Sequence, residues 1–261
     1  MARIELDHVS YSYAGSHDGD CALRDISLAI EDGEFVCVVG KSGCGKTTLL
    51  RLLAGLTFPD SGEVRIDGRP ISGPDTDRSI VFQNYTLFPW MSVRRNVEFG
   101  IRQARRGLKR DQIHRIADDF LEKVDMRKDA EKYPCQLSGG MQQRAAIARA
   151  LAMDTDILLM DEPFGALDMR IRRELQILLE NLPSGESGRR KTIVFVTHDI
   201  NEAVFLADRI VYMTPGRIFR ILSVPLPRPR SAFNAADAAR MRTLRRDLLD
   251  LFDMTYRREG A

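Results

Sequence analysis

The sequence predicts an α/β fold: a doubly wound parallel sheet, a small antiparallel sheet beside it, and a helical segment inserted into it. Three observations carry this. Residues 35–39, 157–160 and 192–197 are short, almost unbroken apolar runs bounded by polar or turn-forming residues, as strands buried on both faces are. Stretches at helical spacing lie between them, and strands alternating with helices imply a parallel sheet. The first run leads into Gly40-Lys41-Ser42-Gly43-Cys44-Gly45-Lys46-Thr47-Thr48, which opens into a helix-like Leu49-Leu50-Arg51-Leu52-Leu53-Ala54. That spacing, G-x-x-x-x-G-K-[ST], is a P-loop, so the fold is expected to be that of a P-loop NTPase.

The elements follow in chain order. Residues 3–13 alternate apolar and polar, as a strand with one exposed face does, and residues 14–20 form a Gly/Ser/Asp turn. Alternation resumes over 21–30, and a turn at 31–34 feeds the buried strand before the P-loop. The P-loop helix ends near Gly55; residues 59–62 turn the chain into a strand over 63–66, and Asp67-Gly68 predicts a hairpin. Residues 79–83 read as a short buried strand ending in a polar residue. From Ser92 to about Val124 the pattern is helical, with a basic, glycine-containing break over 102–110 and Asp111 as the expected N-cap. A helix follows over 141–153 and another over 168–182, then a polar loop over 183–190, with 209–213 as the last core strand. The helical insert spans about 84–145. Residues 225–229 read as an extended linker. Beyond them Met241, Leu244, Leu248, Leu251 and Phe252 fall at helical spacing, on a helix that either docks a partner or packs on the chain's own core.

Composition narrows the function. The 261 residues carry a formal charge of only +2 without a basic stripe, which argues against a dedicated nucleic-acid binder. No apolar run is long enough to span a bilayer, and the N-terminus enters a strand pattern without a signal-peptide core. Cys21, Cys37, Cys44 and Cys135 lack C-x-x-C spacing, and His8, His17, His114 and His198 form no ligand-spaced cluster, so a cytoplasmic protein without a disulfide framework or zinc site is expected.

The P-loop glycines let successive backbone N–H groups wrap phosphates at a helix N-terminus. Lys46 is placed to reach the β- and γ-phosphates, and the Thr47 hydroxyl to complete a Mg²⁺ shell. Asp161 ends an apolar strand, where a P-loop enzyme holds its Mg²⁺ through water, and Glu162 follows at once, placed to orient or deprotonate an attacking water. Cys44 lies among anion-binding amides, so alkylating its thiol is expected to inactivate and Mg-ATP to protect. Leu137-Ser138-Gly139-Gly140-Met141-Gln142-Gln143-Arg144 opens a second helix with an anion-binding start.

P-loop, LSGG helix, Asp-Glu strand end and strand–histidine together resemble the nucleotide-binding subunit of ABC transporters, from Tyr13 to about Arg230. The resemblance implies a RecA-like parallel core with ATP and Mg²⁺ as ligands. It implies that Tyr13 stacks on adenine, with Tyr11 as the other candidate and core packing as the alternative for both. It implies that Gln83 contacts Mg²⁺ and senses a membrane partner, and that Ser138, Gly139, Gly140, Met141 and Gln142 close on the γ-phosphate of a second subunit. Gly165-Ala166-Leu167-Asp168 match the loop that crosses the dimer interface, although Asp168 also suits a helix cap. His198 matches the histidine that holds the γ-phosphate. Met141 departs from the glutamine that many family members carry, and the loop over 183–190 is longer than usual; neither is expected to abolish hydrolysis.

Finer features resemble the nitrate/sulfonate/taurine importers: Phe82-Gln83-Asn84-Tyr85, the stretch from Leu87 to Val93, Tyr133-Pro134, Pro215-Gly216-Arg217-Ile218 and Leu226-Pro227-Arg228-Pro229-Arg230. What this implies is an ATPase domain over 1–230 with a helical extension over 231–261. It would be peripheral at the cytoplasmic face of the inner membrane, paired with a second ATP-binding subunit, either an identical copy or a related cassette, and with integral membrane permease subunits. A solute-binding protein would act indirectly, and nucleic acid would take no part. The lone Trp90 patch, with Leu87, then faces the permease or the core of the insert. A non-transport ABC ATPase of DNA repair or translation, or an exporter ATPase, are the competing readings.

Overall fold

The computed structural model describes residues 2–13, 15, 21–84, 86–182, 190–230 and 235–259. Tyr85 and most of the loops expected over 14–20 and 183–190 lie outside the described residues. The described strands are β1 (Ile4–Ser12), β2 (Cys21–Ile30), β3 (Phe35–Gly40), β4 (Ser61–Ile66), β5 (Arg69–Pro70), β6 (Arg78–Val81), β7 (Ile157–Asp161), β8 (Thr192–Thr197), β9 (Arg209–Thr214) and β10 (Arg217–Ser223). The helices are α1 (Lys46–Leu53), α2 (Val93–Ala104), α3 (Arg110–Lys123), α4 (Gly139–Ala152), α5 (Met169–Glu180), α6 (Ile200–Leu206) and α7 (Ala235–Glu259).

A four-stranded antiparallel sheet runs in the order β2-β1-β4-β5 and a six-stranded sheet in the order β10-β9-β3-β8-β7-β6. In the larger sheet β9, β3, β8, β7 and β6 are parallel and β10 returns antiparallel to β9. The apolar runs are continuous because the sheet is buried on both faces. Phe35, Cys37, Val39, Leu158, Met160, Ile193 and Phe195 join one core with α4 and α6, while Val36, Val38, Ile157, Leu159, Val194 and Val196 join a second core with α1 and the antiparallel sheet. The period-2 split of each strand therefore builds two cores from one sheet. Its carboxyl ends are where ligands bind in open α/β sheets.

Three local readings are corrected and one open alternative is resolved. Arg217–Ser223 is a strand, β10, after the Pro215-Gly216 turn with Gly216 at φ 69°. The helix expected to be capped by Asp111 is entered at Lys109, whose N–H donates to the Gln112 side chain at 2.8 Å; Asp111 sits in the first turn, favourable toward the helix dipole. Residues 225–229 are no free linker. Val224, Leu226 and Arg230 are buried; Arg230 donates to the carbonyls of Val204 (3.2 Å) and Phe205 (3.0 Å), and Arg228 pairs with Asp208 at 3.0 Å, so the strap caps the end of α6. Burial lowers the Arg230 guanidinium to about 10. The C-terminal apolar set packs on the chain's own core, with Leu248 and Leu251 buried and the Phe252 ring 4.7 Å from that of Tyr212.

Candidate active site

At the carboxyl ends of β3, β7 and β8 lies a cavity of about 410 Å³ lined by Tyr13, Ala22, Ser42, Gly43, Gly45, Lys46, Thr47, Thr48, Gln83, Glu162 and His198. The P-loop forms its floor. A Cβ on Gly40 would stand 2.4 Å from the Met213 carbonyl oxygen, and one on Gly45 (φ 105°) 2.5 Å from that of Ala22, so both positions demand glycine for close backbone approach. Gly45 leads into α1 without a side-chain cap, which leaves first-turn N–H groups pointing at whatever fills the cavity. Lys46 is 5% exposed, and its ammonium donates to the Gly40 and Lys41 carbonyls at 2.8 Å each. The loop thus holds the cation at the mouth of its own anion cradle.

Tyr13 lies on the cavity wall with its hydroxyl 2.8 Å from the Thr48 hydroxyl, its ring edge-on to Tyr11 at 5.2 Å. Tyr11 packs instead against the core of the antiparallel sheet. Opposite, β7 ends in Asp161, only 3% exposed, which accepts a hydrogen bond from Thr47 while its Oδ1 has no hydrogen-bond partner. Burial raises the Asp161 carboxyl above its ordinary value and the Thr47 hydroxyl opposes this. An orphaned buried oxygen beside a threonine hydroxyl is what a hard dication with water and phosphate ligands would satisfy. Among the described residues no group of three His, Cys, Asp or Glu side chains could hold an ion by itself.

Glu162, the next residue, turns the chain at φ 44°, a conformation costing a side chain on the order of 1–3 kcal/mol. Its N–H donates to the Val196 carbonyl at 3.0 Å, and its carboxylate accepts from His198 Nδ1 at 3.0 Å. Two strand ends thereby bring an acid and an imidazole, 36 residues apart, onto one wall.

Other sequence-predicted residues stand elsewhere. Ser138, Gly139, Gly140, Met141, Gln142 and Asp168 do not line this cavity. Ser138 caps α4, accepting from the Met141 N–H at 3.3 Å, and Asp168 caps α5 at 3.0 Å from the Ile171 N–H. A Cβ on Gly140 would meet the Ala166 carbonyl at 3.1 Å, so the two helix starts are adjacent. The Gln142 amide donates to the Pro134 and Leu137 carbonyls, and Met141 packs partly against the core. Gly40, Lys41 and Cys44 are absent from the cavity lining, whereas Ala22, which sequence spacing did not single out, is part of it.

Cys44 corrects an expectation. Its thiol is buried, 1% exposed, against Gly40, whereas Cys135 is exposed. Maleimide is therefore expected to label Cys135 first and Cys44 far more slowly, and Cys135→Ser protein to keep its activity under the same treatment. Peptide mapping by mass spectrometry checks the order of labelling, and equal rates would contradict the burial.

Residues 23–165 match the family described as ABC transporter. The nitrate import ATP-binding protein NrtD of Synechococcus elongatus is 45% identical over 258 residues, covering 98% of this chain and 92% of the relative. The protein of the same name from Synechocystis sp. is 45% identical over 226 residues, 86% of this chain and 83% of the relative. Among solved structures, the dimeric post-hydrolysis state of the ATP-binding cassette MJ0796 bound to ADP and Pi aligns with a TM-score of 0.77 at 36% identity, covering 85% of this chain and 98% of the other.

Proposed function

The chain belongs to the ABC transporter family, as an ATP-hydrolysing subunit of importer type, and from that premise we propose that it powers uptake of nitrate or a similar small anion through separate permease subunits. One observation carries the mechanism: the site is split. The P-loop, Glu162 and His198 share one cavity, while Ser138 to Gly140 open a helix away from it. A second copy placed head to tail would supply its Ser138 and α4 N-terminus to the γ-phosphate held by Lys46, and the solved cassette's being a dimer supports pairing of two such chains. Gly140 beside Ala166 means that the signature start and the loop ending in Asp168 would meet the partner together.

In the proposed reaction Lys46 moves from the Gly40 and Lys41 carbonyls to the β- and γ-phosphates, and Tyr13 lies against the adenine. Thr47 and Gln83 would hold Mg²⁺ with Asp161 behind it through water, and the bound ion supplies charge neutralisation on the phosphates. Glu162 takes a proton from the attacking water, while His198, hydrogen-bonded to Glu162, faces the γ-phosphate. Residues 1–230, with the helical insert at about 84–145, form the ATPase domain in this reading, and 231–261 a C-terminal extension, of which Leu248 and Leu251 are buried against the core.

Trp90 supports a docking role for the insert. It is 69% exposed and lines a groove of about 810 Å³ with Met91, Arg95, Phe99 and Leu108, a short way along the chain from Gln83. An exposed aromatic rimmed by arginines suits an interface anchor rather than the core of the insert. Among the described residues no helix is long and apolar enough to cross a membrane; the importer relatives are what support placing the subunit at the cytoplasmic face, beside separate permease subunits.

Trp90→Ala is expected to retain ATP hydrolysis of the isolated subunit and to lose co-purification with the permease, since a central aromatic anchor is typically worth more than about 2 kcal/mol. Uptake assays with labelled nitrate, taurine and an aliphatic sulfonate, in cells lacking this subunit and complemented with it, test the solute. Recovery of sulfonate uptake alone would exclude nitrate.

A further inference from the structure

The loop beginning at Glu162 and the loop beginning at His198 are joined by a single side chain that does not line the cavity. Arg172, on α5, donates from Nη2 to the carbonyls of Phe164 (3.3 Å) and Leu167 (3.5 Å), both in the loop after Glu162. The same guanidinium pairs with Asp199 through Nη1 at 3.6 Å and with Glu202 through Nε at 3.7 Å. Glu202 is 5% exposed, and its other carboxylate oxygen accepts from the Thr197 hydroxyl at 2.6 Å. That hydroxyl accepts in turn from the Asp199 N–H at 3.0 Å. The residues on either side of His198 are therefore fixed by a cluster whose cation also grips the loop that follows Glu162.

Only part of this register is set elsewhere. The Glu162 N–H holds the Val196 carbonyl, and Phe164 packs on Phe195 with ring centroids 5.3 Å apart. The first loop is braced further by the Gly165 N–H on the Glu162 carbonyl (3.2 Å) and the Leu167 N–H on the Phe164 carbonyl (3.1 Å), and the second by Asp199, which accepts from the Asn201 N–H at 2.8 Å. Arg172 differs from these local contacts in reaching both loops past their turns from one side chain. Its chemistry suits this role, because a planar fork donates to two carbonyls from Nη2 while its delocalised charge lies within 3.6–3.7 Å of two carboxylates, contacts that are ion pairs and leave Nε without a hydrogen-bond partner. Burial raises the Glu202 carboxyl, while Thr197 and Arg172 oppose this, so removing the cation leaves an ill-paired buried acid beside His198.

We propose that Arg172 is a positioning residue that sets the Glu162–His198 contact from behind the site, so that its loss lowers turnover without lowering nucleotide affinity. The proposal rests on the reading of Glu162 and His198 given above. Arg172 is about a third exposed but Glu202 is nearly buried, so removing the cation is expected to lower Tm as well, and the diagnostic effect is a loss of kcat at unchanged nucleotide affinity, measured well below the melting transition.

The test is steady-state ATP hydrolysis by the full chain, with Tm and nucleotide binding measured on every variant. Arg172→Met is expected to lose about 10- to 100-fold in kcat, the scale of an ångström-level misplacement, with KM within about twofold and the protein still folded at the assay temperature. In a His198→Ala background it should add no further loss, because both changes undo one contact. Arg173→Met, which removes a neighbour stacked on Phe205 at 4.2 Å, should leave kcat unchanged and be additive with everything else. Should Arg172→Met fold poorly, Arg172→Lys replaces it, with a smaller loss and the same non-additivity. If His198→Ala keeps parental turnover, the underlying reading of His198 falls. If His198→Ala is slow and Arg172→Met multiplies that loss in full, or leaves kcat intact, that reading stands and the role of Arg172 is overturned.

Discussion

Glu162→Gln is expected to bind ATP, to dimerise on it, and to hydrolyse it about 10²- to 10⁴-fold more slowly than the parent, the scale of a lost general base. The physical case begins with β7, whose five residues are all buried and whose last, Asp161, stays within the sheet. The next residue takes a left-handed backbone, and that turn is what carries its carboxylate out of the sheet and onto the cavity wall beside His198. Glutamine is isosteric, accepts the same hydrogen bond from His198, and suffers the same backbone strain, so folding and binding should survive. What it cannot do is take a proton. Light scattering with ATP should then show a dimer that persists because the nucleotide is not consumed. Turnover near the parental rate would sink the assignment.

Lys46→Ala is expected to lose ATP binding and hydrolysis together. An ammonium about 4 Å from a phosphate charge contributes on the order of 4 kcal/mol at the effective dielectric near a protein surface, roughly a thousandfold in Kd. The structure adds a second consequence. In the free protein the Lys46 ammonium satisfies the Gly40 and Lys41 carbonyls. Its removal leaves those acceptors without their donor, at a cost of about 1–3 kcal/mol where they are buried. Calorimetric titration with nucleotide and a thermal melt without it separate the two effects. A variant that binds ATP at parental affinity would remove Lys46 from the phosphate site.

Much of this site was legible in the residue order. A P-loop is a local object: glycine spacing, a preceding strand and a following helix are all contiguous, so Gly40 to Thr48 specify their own conformation. Asp161 and Glu162 were readable because an apolar strand ending in acids marks the carboxyl edge of a buried sheet, and His198 ends such a strand too. The corrections fall where local signals run out. β10 has exposed apolar residues, Phe219 and Ile221, without clean alternation, because an edge strand lacks a second neighbour to impose burial. The strap over 225–230 carries the prolines and arginines of a linker, and only the open carbonyls at the end of α6 turn Arg228 and Arg230 into a cap.

The sequence by itself determined which side chains stand together at the proposed phosphate site, which acid follows the buried strand, and which fold holds them, because each rests on periodicity or on spacing within a few residues. Tertiary structure alone decided the arrangement. It turned the Cys44 thiol into the core, set Tyr13 rather than Tyr11 on the cavity wall, and exposed Trp90. It also placed Arg172 behind two loops that lie far apart in the chain. Burial and long-range contact depend on what the folded chain brings alongside a residue, and no window of neighbouring residues contains that.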